Sequence, residues 1–229
     1  LRILLYLFGG LVFLFLVFNI MFSYMVNKKV PDLLANNDSG YVITYKELDV
    51  SIFSRYVALK DIRVKPIDSL NTNKHGFFAE IGAIHLSGIG LLNLVTSNKI
   101  SVSKLQLTEP TLHLYPFVKK DSTEVKKEFE KIVLLDELEI ISANAFLYKK
   151  DQKNPHLSVS NLDFNLKNIK LDKSTLKENL PLHYSDYQIK LDSLAFKANS
   201  FYTIKTNAIA INNRKFTVTD FKLLPNFNR

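Results

Sequence analysis

"SVSKLQLTEPTLHLYP", residues 101–116, is the stretch on which the fold turns. Val102, Leu105, Leu107, Leu112 and Leu114 stand among polar residues, the spacing of a strand with one covered face. It carries most of a pattern that recurs along the chain: apolar-x-apolar-x-x-apolar-x-apolar.

The pattern fits Val57, Leu59, Ile62, Val64, and again Ile100, Val102, Leu105, Leu107. It fits Val133, Leu135, Leu138, Ile140, and Leu157, Val159, Leu162, Phe164. It fits Ile189, Leu191, Leu194, Phe196, and Phe216, Val218, Phe221, Leu223. Ala79, Ile81, Ile84, Leu86 form a weaker copy. In a half-apolar chain the four positions match by chance about ten times in roughly 200 residues. The strict form, with every x polar, is expected about once; it occurs at Ile100, Leu157 and Phe216.

Alternation within each pair puts two side chains on one face, and the central pair of polar residues then shifts the phase. Either the strand changes its buried face there, or a bulge keeps all four apolar residues on one face. Lys60-Asp61, Ser103-Lys104, Asp136-Glu137, Ser160-Asn161, Asp192-Ser193 and Thr219-Asp220 occupy these joints. Two short helices are expected between strands, over 87–99 with Leu91, Leu92 and Val95, and over 121–133 with an Asp121-x-x-Glu124 box.

Residues 3–27, "ILLYLFGGLVFLFLVFNIMFSYMVN", contain no charge. About 20 apolar helical residues cross a bilayer, so a transmembrane anchor is expected over 1–29, followed by a linker over 30–40. Arg2 flanks one side and Lys28-Lys29 the other; the lysines alone favour their side as cytoplasmic, and the charges leave the orientation open. The chain begins at Leu1 and ends just past a strand-like run, and is expected to be part of a longer protein.

Much reactive chemistry is missing. There is no cysteine, which removes disulfides, thiolate zinc sites and cysteine nucleophiles. His75, His85, His113, His156 and His183 are isolated from any zinc-motif partner. Gly88-x-Gly90 lacks the third glycine of a dinucleotide loop, and neither a G-x-S-x-G elbow nor a Walker loop occurs. Asp136, Glu137 and Glu139 cluster, but neighbours on a strand point to opposite faces. The net charge of +8 comes from scattered lysines without an arginine-aromatic stripe, so no nucleic-acid partner is expected. Neither enzymatic activity nor a metal or cofactor is expected.

The order of these parts resembles the N-terminal region of the AsmA-like family of Gram-negative bacteria, the group that includes TamB and YhdP. The resemblance rests on "LDVSIFSRYVALKDIRVKP", on Leu91-Leu92-x-Leu94-Val95, and on Leu105-x-Leu107-x-x-Pro110-x-Leu112-x-Leu114. "LDELEIISANAFLYKKD" and "LSVSNLDFNLKNIKLD" are similar to the elements that follow in that family. It implies an inner-membrane anchor with the body in the periplasm, opposite to the lysine count. It also implies a mainly β fold, a long curved antiparallel-rich sheet over 41–229 forming an open apolar groove. The function implied is binding of phospholipid acyl chains in support of lipid transport or envelope homeostasis. Bound phospholipid is then the only expected ligand, and membrane lipids and envelope protein subunits are the expected partners. An anchored scaffold for an envelope complex is the alternative. The expected groove lining is Ile62, Val64, Ile84, Leu86, Leu105, Leu107, Leu112 and Leu114, continued by Leu138, Ile140, Leu162, Phe164, Leu194, Phe196, Phe221 and Leu223.

Overall fold

A computed structural model describes residues 40–51, 54–67, 76–90, 99–116, 132–150, 152–172, 174–175 and 182–226, with six separate positions at 17, 20, 24, 27, 28 and 31. Thirteen strand segments join in one sheet. They are β1 (Tyr41–Thr44), β2 (Glu47–Ser51), β3 (Tyr56–Pro66), β4 (Gly76–Ser87), β5 (Lys99–Thr108), β6 (Thr111–Tyr115) and β7 (Ile132–Leu147). Then come β8 (Leu157–Leu171), β9 (Asp186–Lys197), β10 (Tyr202–Thr206), β11 (Ala208–Asn212), β12 (Phe216–Thr219) and β13 (Lys222–Pro225).

Four of these junctions are interruptions in a single strand. β1 and β2 both pair with β3; β5 and β6 both pair with β4 and β7; β10 and β11 both pair with β9. β12 and β13 pair with β11 and β10. The sheet is thus a row of long strands in near-sequential order, antiparallel except where β5 and β6 run parallel to β7. The path β1-β3-β4-β5-β7-β8-β9-β10-β13 does not close.

The interruptions fall on a line. Asp61, Glu109, Ser142, Asn161 and Asp220 all have left-handed backbone, with φ between +51° and +55°. The pairings on either side place Asp61 opposite Lys46 and Gly82, Gly82 opposite Glu109, and Glu109 beside Ser142. The register shifts between β7 and β8, and the line continues through Asn161, Asp192, Asn207 and Asp220. A second line lies about 20 Å away along the strands. It runs through Arg55 (φ +49°), Gly88 (φ +66°), Ser103, Asp136 and Asn168 (φ +52°). Gly88 suits this position: its backbone is left-handed, and an added Cβ would collide with the Ser103 side chain.

These creases resolve the phase shift in the sequence pattern. Lys60↔Ala83 and Ile62↔Ile81 keep one register across Asp61, so no residue is inserted. Instead, a left-handed residue breaks the reversal that an extended residue makes, and alternation resumes one position late. Lys60 and Asp61 are consecutively exposed before Ile62 is buried, and Lys167 and Asn168 are exposed before Ile169 is buried. Apolar residues on both sides of a crease return to the same face.

No second layer covers that face among the described residues, where every named element is a strand. Few apolar side chains there are fully buried; Ile62 (2% exposed), Ala143 (4%) and Leu166 (6%) are among them. A flat single layer would leave such residues open on one side, so the sheet bends over its apolar face.

Two expectations are corrected. No helix among the described residues is long and apolar enough to cross a membrane. This overturns the transmembrane anchor over 1–29, and with it the single-pass inner-membrane placement with a periplasmic body. Apolar composition favours hydrocarbon, but a span needs about 20 successive helical residues. The described helical positions are six separate ones from Val17 to Pro31, and the rest of 1–39 lies outside the described residues. The two short helices are not found either. Ser87 ends β4, Lys99 starts β5, and Ile132 and Val133 belong to β7, while 91–98 and 117–131 lie outside the described residues. The sheet itself is mainly antiparallel, with β5 and β6 running parallel to β7.

Candidate functional site: a continuous apolar face

Strand pairing turns the sequence pattern into rows, since paired residues share a face. One row crosses the whole sheet between the creases: Leu48, Leu59, Ile84, Leu107, Ile140, Phe164, Ile189, Ile211 and Phe216. Its neighbour is Val50, Val57, Leu86, Leu105, Leu138, Leu166 and Tyr187. No charged residue enters either row.

Two more rows lie below the first crease. Ile43, Val64, Ala79, Leu112, Ala145, Val159 and Leu194 end on Thr206. Phe77, Leu114, Leu147, Leu157, Phe196, Ile204 and Leu223 form the other, and Tyr41 stacks on Phe77 with ring centres 4.3 Å apart. Ile62 pairs with Ile81 beside the crease, and Ala143, Leu162, Leu191, Ile209 and Val218 run along it.

Of the expected lining residues, all but Phe221 fall in these rows or beside the crease, with differences in exposure. Ile62 is core and offers almost no surface. Val64, Ile84, Leu86, Leu105, Leu107, Leu112, Leu114, Leu138, Ile140, Leu162, Phe164, Leu194 and Phe196 are half-buried. Leu223 is on the outermost segment and exposed, and Phe221 is exposed just before it. The rows also hold residues outside the expected lining, among them Leu48, Val50, Phe77, Leu147 and Ile204. They fall outside the eight-residue pattern, although "ELDVS" alternates enough to have signalled Leu48 and Val50.

The opposite face is polar above the crease. Asp49, Ala58, His85, Gln106, Glu139, Asn165, Gln188 and Asn212 make one row there. Glu137 and Glu139 share this face, and Lys104 bridges them at 3.4 and 2.7 Å. The hydrogen bond from Asn165 Nδ2 at 2.6 Å holds the Glu137 carboxyl below its usual pKa, opposed by desolvation and assisted by Lys104. The hydrogen bond to Glu139 holds the Lys104 ammonium above its usual value. A carboxylate kept ionised and paired is a structural ion pair, the reverse of the raised carboxyl that general acid catalysis needs. Among the described residues no group of His, Asp or Glu is placed to hold a metal ion.

Charge is segregated by the first crease. Below it stand Arg63, Lys65, Lys149, Lys150, Lys153, Lys197, Lys205 and Lys222 against Glu80 alone, a net of +7 among the described residues. Above it, nine basic residues face eight acidic ones. On the lower side Arg63 and Glu80 form an ion pair at 3.5 Å. His156 lies in this region, edge-on to Phe196 at 4.9 Å. Burial first, then the nearby charges of Lys149 and Lys197, hold its pKa below the usual histidine value.

No protein-family model matches the chain, and a search of curated proteins finds no match either.

Proposed function

We propose that the apolar face binds phospholipid acyl chains and serves lipid transport. The carrying observation is the uninterrupted row from Leu48 to Phe216, which crosses every long strand without a polar side chain. A sheet face of this kind normally packs on another layer. Among the described residues no such layer is present, and an exposed apolar surface of this size generally marks a binding surface. Hydrocarbon gains about 25 cal/mol per Å² of apolar area removed from water, and gains it equally at each place along a uniform row. Uniformity therefore favours passage of a tail over capture at one point. The AsmA-like resemblance of the sequence supports the same reading.

Lipid loading tests it. Purified protein is delipidated, offered a fluorescent phospholipid, and the retained lipid is counted. Leu107→Asp and Ile140→Asp place a carboxylate in the central row and should lower loading at least tenfold, while circular dichroism keeps the strand signal. Unchanged loading in both folded variants would refute the groove.

The scaffold reading is favoured by one observation. The open edge at β12 and β13 is exposed throughout, with Phe216 and Phe221 prominent. Such an edge can accept a further strand from a partner.

A further inference from the structure

We infer that the lower end of the sheet docks on an anionic lipid bilayer; this rests on the acyl-chain reading and names where lipid enters. The turns at this end are held by their own hydrogen bonds. Asn199 Oδ1 accepts from the backbone N–H groups of Phe201 and Tyr202, both at 2.8 Å, and Asn226 N–H donates to the Phe201 carbonyl at 2.6 Å. This clamp leaves Phe201 70% exposed and Tyr202 44% exposed. His156 N–H donates to the Leu147 carbonyl, and its own carbonyl accepts from Lys197, so the turn carrying Lys149, Lys150 and Lys153 sits beside the first. Ile67, past the end of β3 at the same margin, is 57% exposed.

The combination fits a membrane surface. Rings and aliphatic groups held at turn tips enter the headgroup region, and lysines around them meet anionic phosphates. Burial first, and then the charges of Lys149 and Lys197 at this margin, hold the His156 pKa below its usual value. The row through Leu147, Leu157 and Phe196 begins at this margin, so a tail leaving the bilayer meets apolar surface at once. The opposite end has exposed Phe216 beside Arg214 and Lys215, but acidic residues balance the region above the crease.

The chain has no tryptophan, which makes the test direct. Phe201→Trp and Phe216→Trp each introduce a single indole, read in vesicles of equal parts phosphatidylcholine and brominated phosphatidylglycerol. The indole at 201 should be quenched and the one at 216 should not. Adding Lys149→Gln, Lys150→Gln and Lys153→Gln should weaken the quenching about a hundredfold in lipid concentration, and salt should weaken it too. Equal quenching at both ends, none at 201, equal quenching with purely neutral brominated lipid, or loss of vesicle quenching to an oligonucleotide competitor would each overturn the inference. Leu107→Asp separates the two readings: it abolishes lipid loading if the groove is right, and leaves quenching at 201 intact if the docking end is right.

Discussion

Below and above the first crease the sheet shares one apolar face, yet the two regions differ in charge and in exposure. Among the described residues, eight basic residues below oppose one acidic residue, while above the signs nearly cancel and Lys104, Glu137 and Glu139 lock together. The difference teaches that one repeated strand pattern can carry two tasks. The apolar rows are common to both regions, and the polar side chains between them set what each end meets. Surface charges contribute little to stability when exposed, so the fold does not account for the lower lysines, whereas the proposed bilayer contact would.

The largest effect expected from breaking this arrangement lies in the few buried apolar residues above the crease. Leu166→Ala should destabilise by about 2–5 kcal/mol in urea unfolding, because the bent single layer cannot refill the space. Leu223→Ala, on an exposed segment below the crease, should stay within about 0.5 kcal/mol. The crease itself comes next. Asn161→Val puts a β-branched residue at φ +52° and should cost about 1–3 kcal/mol, whereas Asn161→Gly should be tolerated. Equal costs for the two would mean that the left-handed backbone does not define the boundary.

Acid provides a smaller probe. Glu137 has a lowered folded pKa, so its stabilisation is present above the unfolded value near 4.5 and is lost as pH falls through the folded value. Glu137→Gln should therefore reduce stability slightly at pH 7 and flatten its decline in acid. His156 also has a lowered pKa, and its contribution is present above the unfolded value near 6.5 and lost as pH falls. The smallest expected effect is on that titration: Lys149→Gln should raise the His156 pKa in an NMR titration, and no change would remove the lysine field from the comparison.

The strands and the position of their breaks were legible in the residues. Lys60-Asp61, Ser160-Asn161 and Thr219-Asp220 were marked as joints, and Asp61, Asn161 and Asp220 are left-handed. Asp and Asn tolerate that conformation better than other non-glycine residues, which is why the signal was there. That the joints fall on two lines was not legible, because alignment depends on pairing between residues far apart in sequence. The lysines show the same limit. Lys65, Lys149, Lys197 and Lys222 look scattered along the chain, and only the strand order sets them on the same side of the crease, spread across the sheet. Segment 3–27 misled for the opposite reason: apolarity was read as length of helix, and the described residues hold no such span. Register alone sets which residues share a row.

The sheet's failure to close has a consequence of its own. Each hairpin repeats the same cross-section, so inserting or deleting one changes how far the surface reaches without redesigning its profile. Reach would grow by about 4.8 Å per strand. Such a protein can be tailored to a distance by counting hairpins, much as a ladder is lengthened by adding rungs.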